Sequence, residues 1–501
     1  MEKNEIVTAV ITDFTKDGEG IGRSDGYTLF VKDAVIGDVV RARITRPKKN
    51  YAYARVEEIL TASPDRTVPR CAEARRCGGC KLQELSYEKQ LLFKQKVVVD
   101  ALSRIGGFKA AAFSEREAGE GTIPVQQVLG MEDPFRYRNK AQYPIAQTSQ
   151  GVRAGFYAGR THSLIPVTDC MLTRGVHADI LAAFLSYMEK YKVTPYDEES
   201  GRGLVRHLLI REAFATGEIL VCPVVNGTSL PHADALTRAL AEIPGVCSIS
   251  MNINQKRNNT ILGDRTVALF GKGWITDLLG GLAFRISPRS FYQVNPKQTE
   301  VLYKEVLRLL ELRGDETVYD LYCGIGTISL FLAGAAREVY GVEIVPDAVR
   351  DAKENAERNG IRNVHFYTGA AEDLVVSGEF APGVPCPHAD VIVVDPPRKG
   401  CDAALIRAML SLAPERIVYV SCDPSTLARD LKLLAQGDGT TAYIPQYVQP
   451  VDMFPQTAHV EVVSLLQKMS NTRERTITLD VEMEDYHRIK NRTEVTADAT
   501  E

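Results

Sequence analysis

One cysteine stands where a predicted strand ends. The apolar run 417–420 is followed by Ser421, Cys422 and an Asp-Pro pair. Open α/β sheets place functional groups at the carboxyl ends of their strands, and the Asp-Pro pair predicts a turn that exposes the thiol. A thiolate in this position could add to C6 of a pyrimidine, which activates C5 toward the methyl group of a sulfonium donor. Cys422 is therefore our candidate nucleophile.

This chemistry also requires a base, because the C5 proton must leave before the thiolate can be expelled. Glu461 lies on a predicted terminal strand, and His459 shares its face at a spacing of two residues. A single strand-end cysteine or strand glutamate is most often structural. The assignment of Cys422 and Glu461 therefore depends on finding a methyl-donor site in the same chain.

Residues 317–327 predict such a site, with a buried strand, a turn containing Gly324 and Gly326, and a helix start. Glycines at this turn let the backbone approach a ligand closely, and Glu343, at the end of the next strand, suits ribose hydroxyls. NAD and S-adenosylmethionine sites share these features. The strand 391–394 ends in Asp-Pro-Pro-Arg, which nucleic-acid methyltransferases often carry and NAD-binding folds have no reason to carry. The pattern therefore favours S-adenosylmethionine.

Three further cysteines form a cluster, Cys71, Cys77 and Cys80, with two glycines directly before the third. A site with three thiolates from one loop needs a fourth ligand from elsewhere, and Cys170 is the best candidate. Spacing alone does not separate zinc from an iron–sulfur cluster, because both accept four thiolates.

The elements that must position these residues divide the chain into parts. Residues 1–61 predict short strands with glycine turns, typical of a small OB-like barrel. Six basic residues and no acid lie between positions 41 and 55, with Tyr51 and Tyr53 among them, which is the combination that binds single-stranded nucleic acid. Residues 62–285 predict a central α+β domain, with one helix at about 82–107 and another at 176–190. Residues 286–469 alternate helix and strand as in a parallel α/β sheet, and residues 470–501 read as a polar tail.

Composition sets outer bounds on the class of protein. The 501 residues carry 60 Lys and Arg against 64 Asp and Glu, for a net charge of −4, with 45% hydrophobic residues. This excludes a disordered, collagen-like or disulfide-framework protein. The chain has no apolar leader at its start and no long uninterrupted apolar run, so we expect a cytoplasmic protein without membrane association.

Taken together, the motifs resemble the RNA (uracil-5-)-methyltransferase family over about residues 5–468. More narrowly, they resemble its bacterial 23S ribosomal RNA branch, which has an N-terminal TRAM domain and a 4Fe–4S cluster. The resemblance is carried by the cysteine cluster and by five further motifs: Phe291-Tyr-Gln-Val-Asn295, Asp320-Leu-Tyr-Cys-Gly-Ile-Gly-Thr327, Asp395-Pro-Pro-Arg398, Ser421-Cys-Asp-Pro424 and His459-Val-Glu461.

The resemblance implies a fold, a reaction and a set of site residues. The fold is a TRAM barrel, a central iron–sulfur domain and a Rossmann-like methyltransferase domain, on which the helix after the cysteine loop could pack. The reaction is methylation of C5 of a uridine in 23S ribosomal RNA, and no obligate protein partner is evident from the sequence. Cys422 is implied as nucleophile and Glu461 as base. The implied S-adenosylmethionine contacts are Gln293, Tyr322, Glu343 and Asp395, and the implied 4Fe–4S ligands are Cys71, Cys77, Cys80 and Cys170.

Three alternatives remain open at this point. A transfer-RNA uracil methyltransferase would use the same chemistry, although that branch typically lacks the TRAM domain and the cluster. A cytosine-5 RNA methyltransferase would place a second cysteine directly after the Asp-x-Pro element, where this chain has Arg398. An RNA-binding iron–sulfur sensor without catalysis would make Cys422 and Glu461 dispensable, and their presence beside the donor motifs argues against it.

Overall fold

The computed structural model describes residues 1–113 and 121–469. The predicted polar tail, 470–501, lies outside the described residues. Within those residues, no helix combines the length and the apolar composition needed to cross a membrane.

The N-terminal part is a closed five-stranded barrel, as the sequence predicts. Its strands, ordered β1-β2-β3-β5-β4 around the barrel, are β1 (Ile6–Phe14), β2 (Gly20–Ser24), β3 (Tyr27–Lys32), β4 (Val39–Pro47) and β5 (Tyr51–Thr61). Apolar side chains alternate along each strand, so that Leu29, Val40 and Ala52 fill the interior. Asp38 is fully buried beside this core and binds Arg66 at 2.6 Å, which ties the barrel to the chain that follows it.

The segment after the cysteine loop packs against the C-terminal sheet. It forms α1 (Tyr87–Arg104), β6 (Ala110–Ala112) and β7 (Ile123–Val125), and β7 pairs in parallel with a C-terminal strand. The buried Lys94 of α1 binds Asp452 at 2.5 Å, which fixes the helix to that sheet. This segment therefore joins the C-terminal sheet in space, although it lies inside the interval 62–285.

The central part is a seven-stranded sheet of order β10-β9-β8-β11-β12-β13-β14, with two helices. Its elements are β8 (Lys140–Thr148), β9 (Gly151–Tyr157), β10 (Leu164–Pro166), α2 (Val176–Lys190), β11 (Val205–Glu212), β12 (Ile219–Val225), α3 (Ala233–Ala241), β13 (Val246–Ile253) and β14 (Arg265–Phe270). A separate hairpin follows, formed by β15 (Ile275–Leu279) and β16 (Leu282–Ile286).

The C-terminal part is built on a nine-stranded sheet of order β19-β18-β17-β22-β23-β25-β24-β7-β6. Its elements after the hairpin are α4 (Pro296–Leu310), β17 (Thr317–Leu321), α5 (Thr327–Ala333), β18 (Glu338–Glu343), α6 (Pro346–Arg358), β19 (Val364–Thr368), α7 (Ala371–Ser377), β20 (Glu379–Ala381), β21 (Val384–Pro385), β22 (Val391–Val394), α8 (Ala403–Leu412), β23 (Arg416–Ser421), α9 (Pro424–Gln436), β24 (Tyr443–Val451) and β25 (Glu461–Lys468). Strands β19, β18, β17, β22 and β23 run parallel, and the strand order reverses between β17 and β22. Ligands of such sheets bind outside the carboxyl ends of the strands at this reversal.

Candidate active site

Cys422 lies between the end of β23 and the start of α9. The Asp423 carboxylate caps the helix by accepting from the backbone N–H of Ser425 at 2.8 Å, and Pro424 occupies the first helical position. The cap holds the half-buried thiol at the sheet edge. Burial raises the pKa of the Cys422 thiol to about 11, with smaller contributions from the neighbouring carboxyl groups of Glu461 and Asp395.

Glu461 begins β25, which pairs antiparallel with β23. The register pairs Val420 with Val463 and Ser421 with Val462, so Cys422 and Glu461 come next to each other at the end of the ladder. Glu461 is buried, and this burial, together with the nearby Asp395, raises its pKa. A carboxylate that resists ionisation is a stronger base once it is ionised, as removal of a carbon-bound proton requires.

Two further acids, Asp395 and Asp320, lie at the point where the strand order reverses. Asp395 follows β22, and its pKa is raised by burial and by Asp320 on β17. Asp320 is fully buried and accepts from the Ser329 hydroxyl at 2.5 Å, and burial raises its pKa to about 7. Asp320 lies in the glycine-turn motif, but it is not among the site residues that the sequence predicts.

Arg398 is a second residue of the site to which the sequence predicts no catalytic or binding role. Its side chain is exposed, yet its positive charge lowers the pKa of both Cys422 and Glu461. The signal was present in the sequence, because Arg398 closes the Asp-Pro-Pro-Arg motif. Its charge opposes the mutual repulsion of the acidic groups in the site.

The turn after β17 takes a left-handed backbone conformation at Tyr322, Gly324 and Gly326, with φ values of 68°, 57° and 79°. The Gly324 N–H donates to one carboxylate oxygen of Glu343 at 3.2 Å, which brings the turn and the end of β18 together. A Cβ at Gly326 would lie 2.7 Å from the ring of Phe366, so a larger residue does not fit there. This geometry fits a nucleoside whose ribose binds the acid.

Gln293 lies on the loop before α4, where it is largely buried. The backbone carbonyl of Gln293 accepts from the Asn139 side chain at 2.9 Å, which anchors the loop to the central part. A cleft of about 500 Å³ lies between this loop and the glycine turn, and its lining residues include Phe291, Gly324 and Glu343. None of the hydrogen bonds found in the described residues joins the Gln293 side chain to Tyr322, Glu343 or Asp395.

Comparison with known proteins places these features in a family. A family model for tRNA (uracil-5-)-methyltransferases matches residues 280–469, and a TRAM domain model matches residues 2–56. An uncharacterized RNA methyltransferase of Halalkalibacterium halodurans is 46% identical over 468 residues, which are 93% of this chain and 98% of that protein. A second, from Listeria monocytogenes serotype 4b, is 44% identical over 466 residues, again 93% and 98%. The chain belongs to the RNA (uracil-5-)-methyltransferase family.

A solved structure of the same kind is that of the tRNA (uracil-54, C5)-methyltransferase of Pyrococcus abyssi in complex with S-adenosyl-L-homocysteine. It aligns with a TM-score of 0.70 and 26% identity, covering 92% of this chain and 100% of that one. The present chain is therefore an S-adenosylmethionine-dependent RNA methyltransferase with an N-terminal TRAM barrel, as the sequence analysis expected.

The cysteine cluster of this RNA methyltransferase is brought together by the fold. Burial, with smaller contributions from Cys170, Cys77 and Cys71, raises the pKa of Cys80 to about 12, so these three thiols lie within electrostatic range of Cys80. The Gly79 N–H points to the Cys77 sulfur at 3.4 Å. Across 1–113 and 121–469, however, no group of three or more Cys, His, Asp or Glu side chains is arranged to hold a metal ion. The donor set fits zinc or iron–sulfur, and the cluster itself stays a prediction.

The basic segment of the TRAM barrel is less free than its sequence suggests. Arg41 binds Glu58 at 3.0 Å and Arg43 binds Glu57 at 2.8 Å, because β4 and β5 are neighbours in the barrel. Three aromatic rings, those of Phe30, Tyr51 and Tyr53, pack against one another with centroid separations of 5.5–5.8 Å. The β4–β5 register sets Tyr53 opposite Arg46, and the Lys48 backbone N–H donates to the Tyr51 carbonyl, so two of these rings share a hairpin with the remaining cations.

Proposed function

We propose that this enzyme methylates C5 of a specific uridine in 23S ribosomal RNA, in the cytoplasm. The observation that carries the proposal is the β23–β25 register, which sets Cys422 next to Glu461 at the sheet edge that also holds the glycine turn. A nucleophile, a base and a donor site at one edge are the parts that methylation of pyrimidine C5 requires. All ten cysteines are unpaired, which fits a reducing compartment.

In the proposed mechanism the target uridine leaves its stack so that both faces of its C5–C6 bond become accessible. The Cys422 thiolate forms a bond to C6, and the C5=C6 electron pair moves into an enolate. C5 then takes the methyl group from the sulfonium sulfur. The Glu461 carboxylate removes the C5 proton, the C5=C6 double bond forms again, and the C6–sulfur bond breaks to release the Cys422 thiolate.

Four residues would hold S-adenosylmethionine, which supplies an electrophilic methyl group. Glu343 would accept from the ribose hydroxyls, and the left-handed turn at Tyr322 would let the backbone approach the ligand. Gln293, on its anchored loop, and Asp395, at the reversal of strand order, would complete the contacts. The buried Asp320 carboxylate accepts from the Ser329 hydroxyl, which holds β17 and α5 together on either side of the turn.

The identity of the RNA is the finer part of the proposal. The TRAM barrel and the cysteine cluster support ribosomal RNA, because the resemblance associates both with the 23S branch. The Pyrococcus abyssi structure supports a second candidate, transfer RNA, because that enzyme's name specifies tRNA uracil-54 and its likeness extends over 92% of this chain. The same catalytic residues serve either substrate.

The decisive experiment compares unmodified 23S and transfer-RNA transcripts as methyl acceptors, followed by mapping of the modified nucleotide. We expect 5-methyluridine in 23S RNA, no turnover by Cys422→Ala, and full turnover by Cys247→Ala, whose thiol is exposed on β13. Methylation of the transfer RNA alone would favour the second candidate. Full turnover by Cys422→Ala would refute the covalent mechanism.

We also propose that Cys71, Cys77, Cys80 and Cys170 hold a 4Fe–4S cluster with a structural role, since the reaction contains no electron transfer. Iron and acid-labile sulfide measured after anaerobic purification test this assignment. We expect both in the wild type and in Cys247→Ser, and neither in Cys170→Ser. Zinc in place of iron, or full iron retention by Cys170→Ser, would refute it.

A further inference from the structure

Three cations lie together where the central sheet meets the catalytic part. Lys140 at the start of β8 pairs across the sheet with Arg211 of β11, and Arg138 precedes Lys140 by two residues. Arg211 is only 2% exposed, whereas Arg138 and Lys140 are half-buried and reach solvent. Burial, with smaller contributions from the neighbouring positive charges of Arg211 and Arg138, lowers the pKa of Lys140 to about 7.

These cations have no carboxylate partner among the described residues, because the nearby acids are engaged elsewhere. Asp169 binds Arg136 at 2.5 Å, and Glu212 binds Arg174 at 2.9 Å. Arg211 instead donates to the backbone carbonyls of Ser290 and Pro288, and its buried Nε has no partner in the part of the chain that the structure describes. Buried positive charge without a counter-ion is costly, so the arrangement calls for an anion.

The position of this group relates it to the reaction. Asn139, between Arg138 and Lys140, donates from its side chain to the Gln293 carbonyl and from its backbone to the Val294 carbonyl, each at 2.9 Å. Tyr137 donates to the carbonyl of Pro455, on the segment that leads to Glu461, at 3.0 Å. An anion held here would lie beside the loop that contains Gln293 and beside the segment that leads to Glu461.

We propose that Arg138, Lys140 and Arg211 form an oxyanion site that receives a phosphodiester group of the RNA strand next to the target uridine. The inference rests on the proposed function. A base that leaves its stack must be held by its backbone, and lysine and arginine contacts to phosphate fix that backbone in place. Arg138 and Lys140 contact the phosphate directly. The buried Arg211 contributes positive charge behind them and donates to the carbonyls of Pro288 and Ser290.

The test uses the full-length protein with S-adenosyl-L-homocysteine and an unmodified 23S transcript, and it measures RNA affinity over a range of salt concentrations. Lys140→Met removes the charge, Lys140→Arg keeps it, and Lys353→Met is the control for an exposed lysine on α6. We expect Lys140→Met to weaken RNA binding about tenfold near 0.15 M salt and to reduce the slope of log K against log salt by about 0.7–0.9. Lys140→Arg and the control should keep the wild-type affinity and slope.

Two further measurements separate this role from others. Affinity for S-adenosyl-L-homocysteine should not change in Lys140→Met, because the amino-acid carboxylate of the cofactor is the other oxyanion that could occupy the site. The melting temperature should not fall, since the substitution removes a half-buried amine that has no carboxylate partner among the described residues.

An unchanged RNA affinity and salt slope in a folded Lys140→Met protein would overturn the proposal. Loss of affinity for the cofactor product with unchanged RNA binding would also overturn it. If the wild type binds RNA but transfers no methyl group, the proposed function fails, while the comparison of salt slopes still decides the anion site.

Discussion

Replacing Glu461 with glutamine should convert the enzyme into one that traps its own intermediate. The amide cannot accept the C5 proton, so methyl transfer can occur once and the Cys422–C6 bond then has no route to break. A positioned general base contributes about 10²–10⁴ in rate, so turnover should fall at least 100-fold while a covalent protein–RNA adduct accumulates. The adduct is measured as labelled RNA that stays with the protein through denaturing electrophoresis.

The pH dependence of adduct formation follows from the nucleophile. With the pKa of Cys422 raised to about 11, about one thiol in 10⁴ is ionised at pH 7, and this fraction increases tenfold with each pH unit. At saturating RNA, adduct formation by Glu461→Gln should therefore accelerate about 100-fold between pH 7 and pH 9. Since the negative charge of Glu461 contributes to the raised pKa, its removal should leave adduct formation at each pH at least as fast as in the wild type.

Two controls make the result specific. Glu415→Gln alters an exposed carboxylate directly before β23, at the end of the strand opposite Cys422, and should behave as wild type. The double variant Cys422→Ala with Glu461→Gln should form no adduct. If Glu461→Gln forms no adduct while the wild type methylates RNA, Glu461 is not the base. An adduct rate that stays flat from pH 7 to pH 9 would show that ionisation of free Cys422 does not limit the addition.

Further outcomes follow from the same geometry. Asp38→Ala should lower the free energy of unfolding by about 2–4 kcal/mol in urea titrations, because it leaves the guanidinium of Arg66 without its buried partner. Burial raises the pKa of Asp38, but the hydrogen bonds that its carboxylate accepts outweigh burial and lower the pKa below 3.8. The stabilisation is therefore present above pH 3.8 and is lost as the pH falls below that value. Gly341→Val should cost about 1–3 kcal/mol of stability, measured by thermal melts, because a Cβ would lie 2.6 Å from the ring of Phe366. Since the same ring packs against Gly326 of the glycine turn, the substitution should also weaken binding of S-adenosyl-L-homocysteine, measured by calorimetry. Arg398→Gln should move the pH–rate profile of methyl transfer to higher pH, because the charge of Arg398 lowers the pKa of Cys422 and of Glu461, the proposed nucleophile and base. An unmoved profile would contradict this effect of Arg398.

Local patterns were sufficient for much of the fold. The helix 176–190 was predicted with the bounds that the structure shows, because its apolar residues recur at helical spacing. Asn295 followed by proline is a local helix-start pattern, and α4 begins there, with the Asn295 side chain accepting from the N–H of Gln298. Such signals are local, since a cap or a periodic face depends on residues within a few turns.

Pairings between distant segments were beyond the reach of local patterns. The basic segment 41–55 contains no acid, yet Glu57 and Glu58, farther along β5, neutralise two arginines of the neighbouring strand β4. Likewise, β6 and β7 precede the central sheet in the chain but pair within the catalytic one. Periodicity shows which face of a strand is apolar, and it carries no information about which strand lies alongside.

By itself, the amino-acid sequence determined the types of chemistry available, namely a thiol at a strand end, a glycine turn, an acid for a ribose and a loop of cysteines. These depend on residue type and short spacing, which a sequence records directly. Only the tertiary structure decided that Cys422 lies next to Glu461, that the charge of Arg398 acts on both, and that Arg138, Lys140 and Arg211 meet with no carboxylate partner among the described residues. The physical reason is that burial and charge act through space, where strand order and register set the neighbours of each side chain.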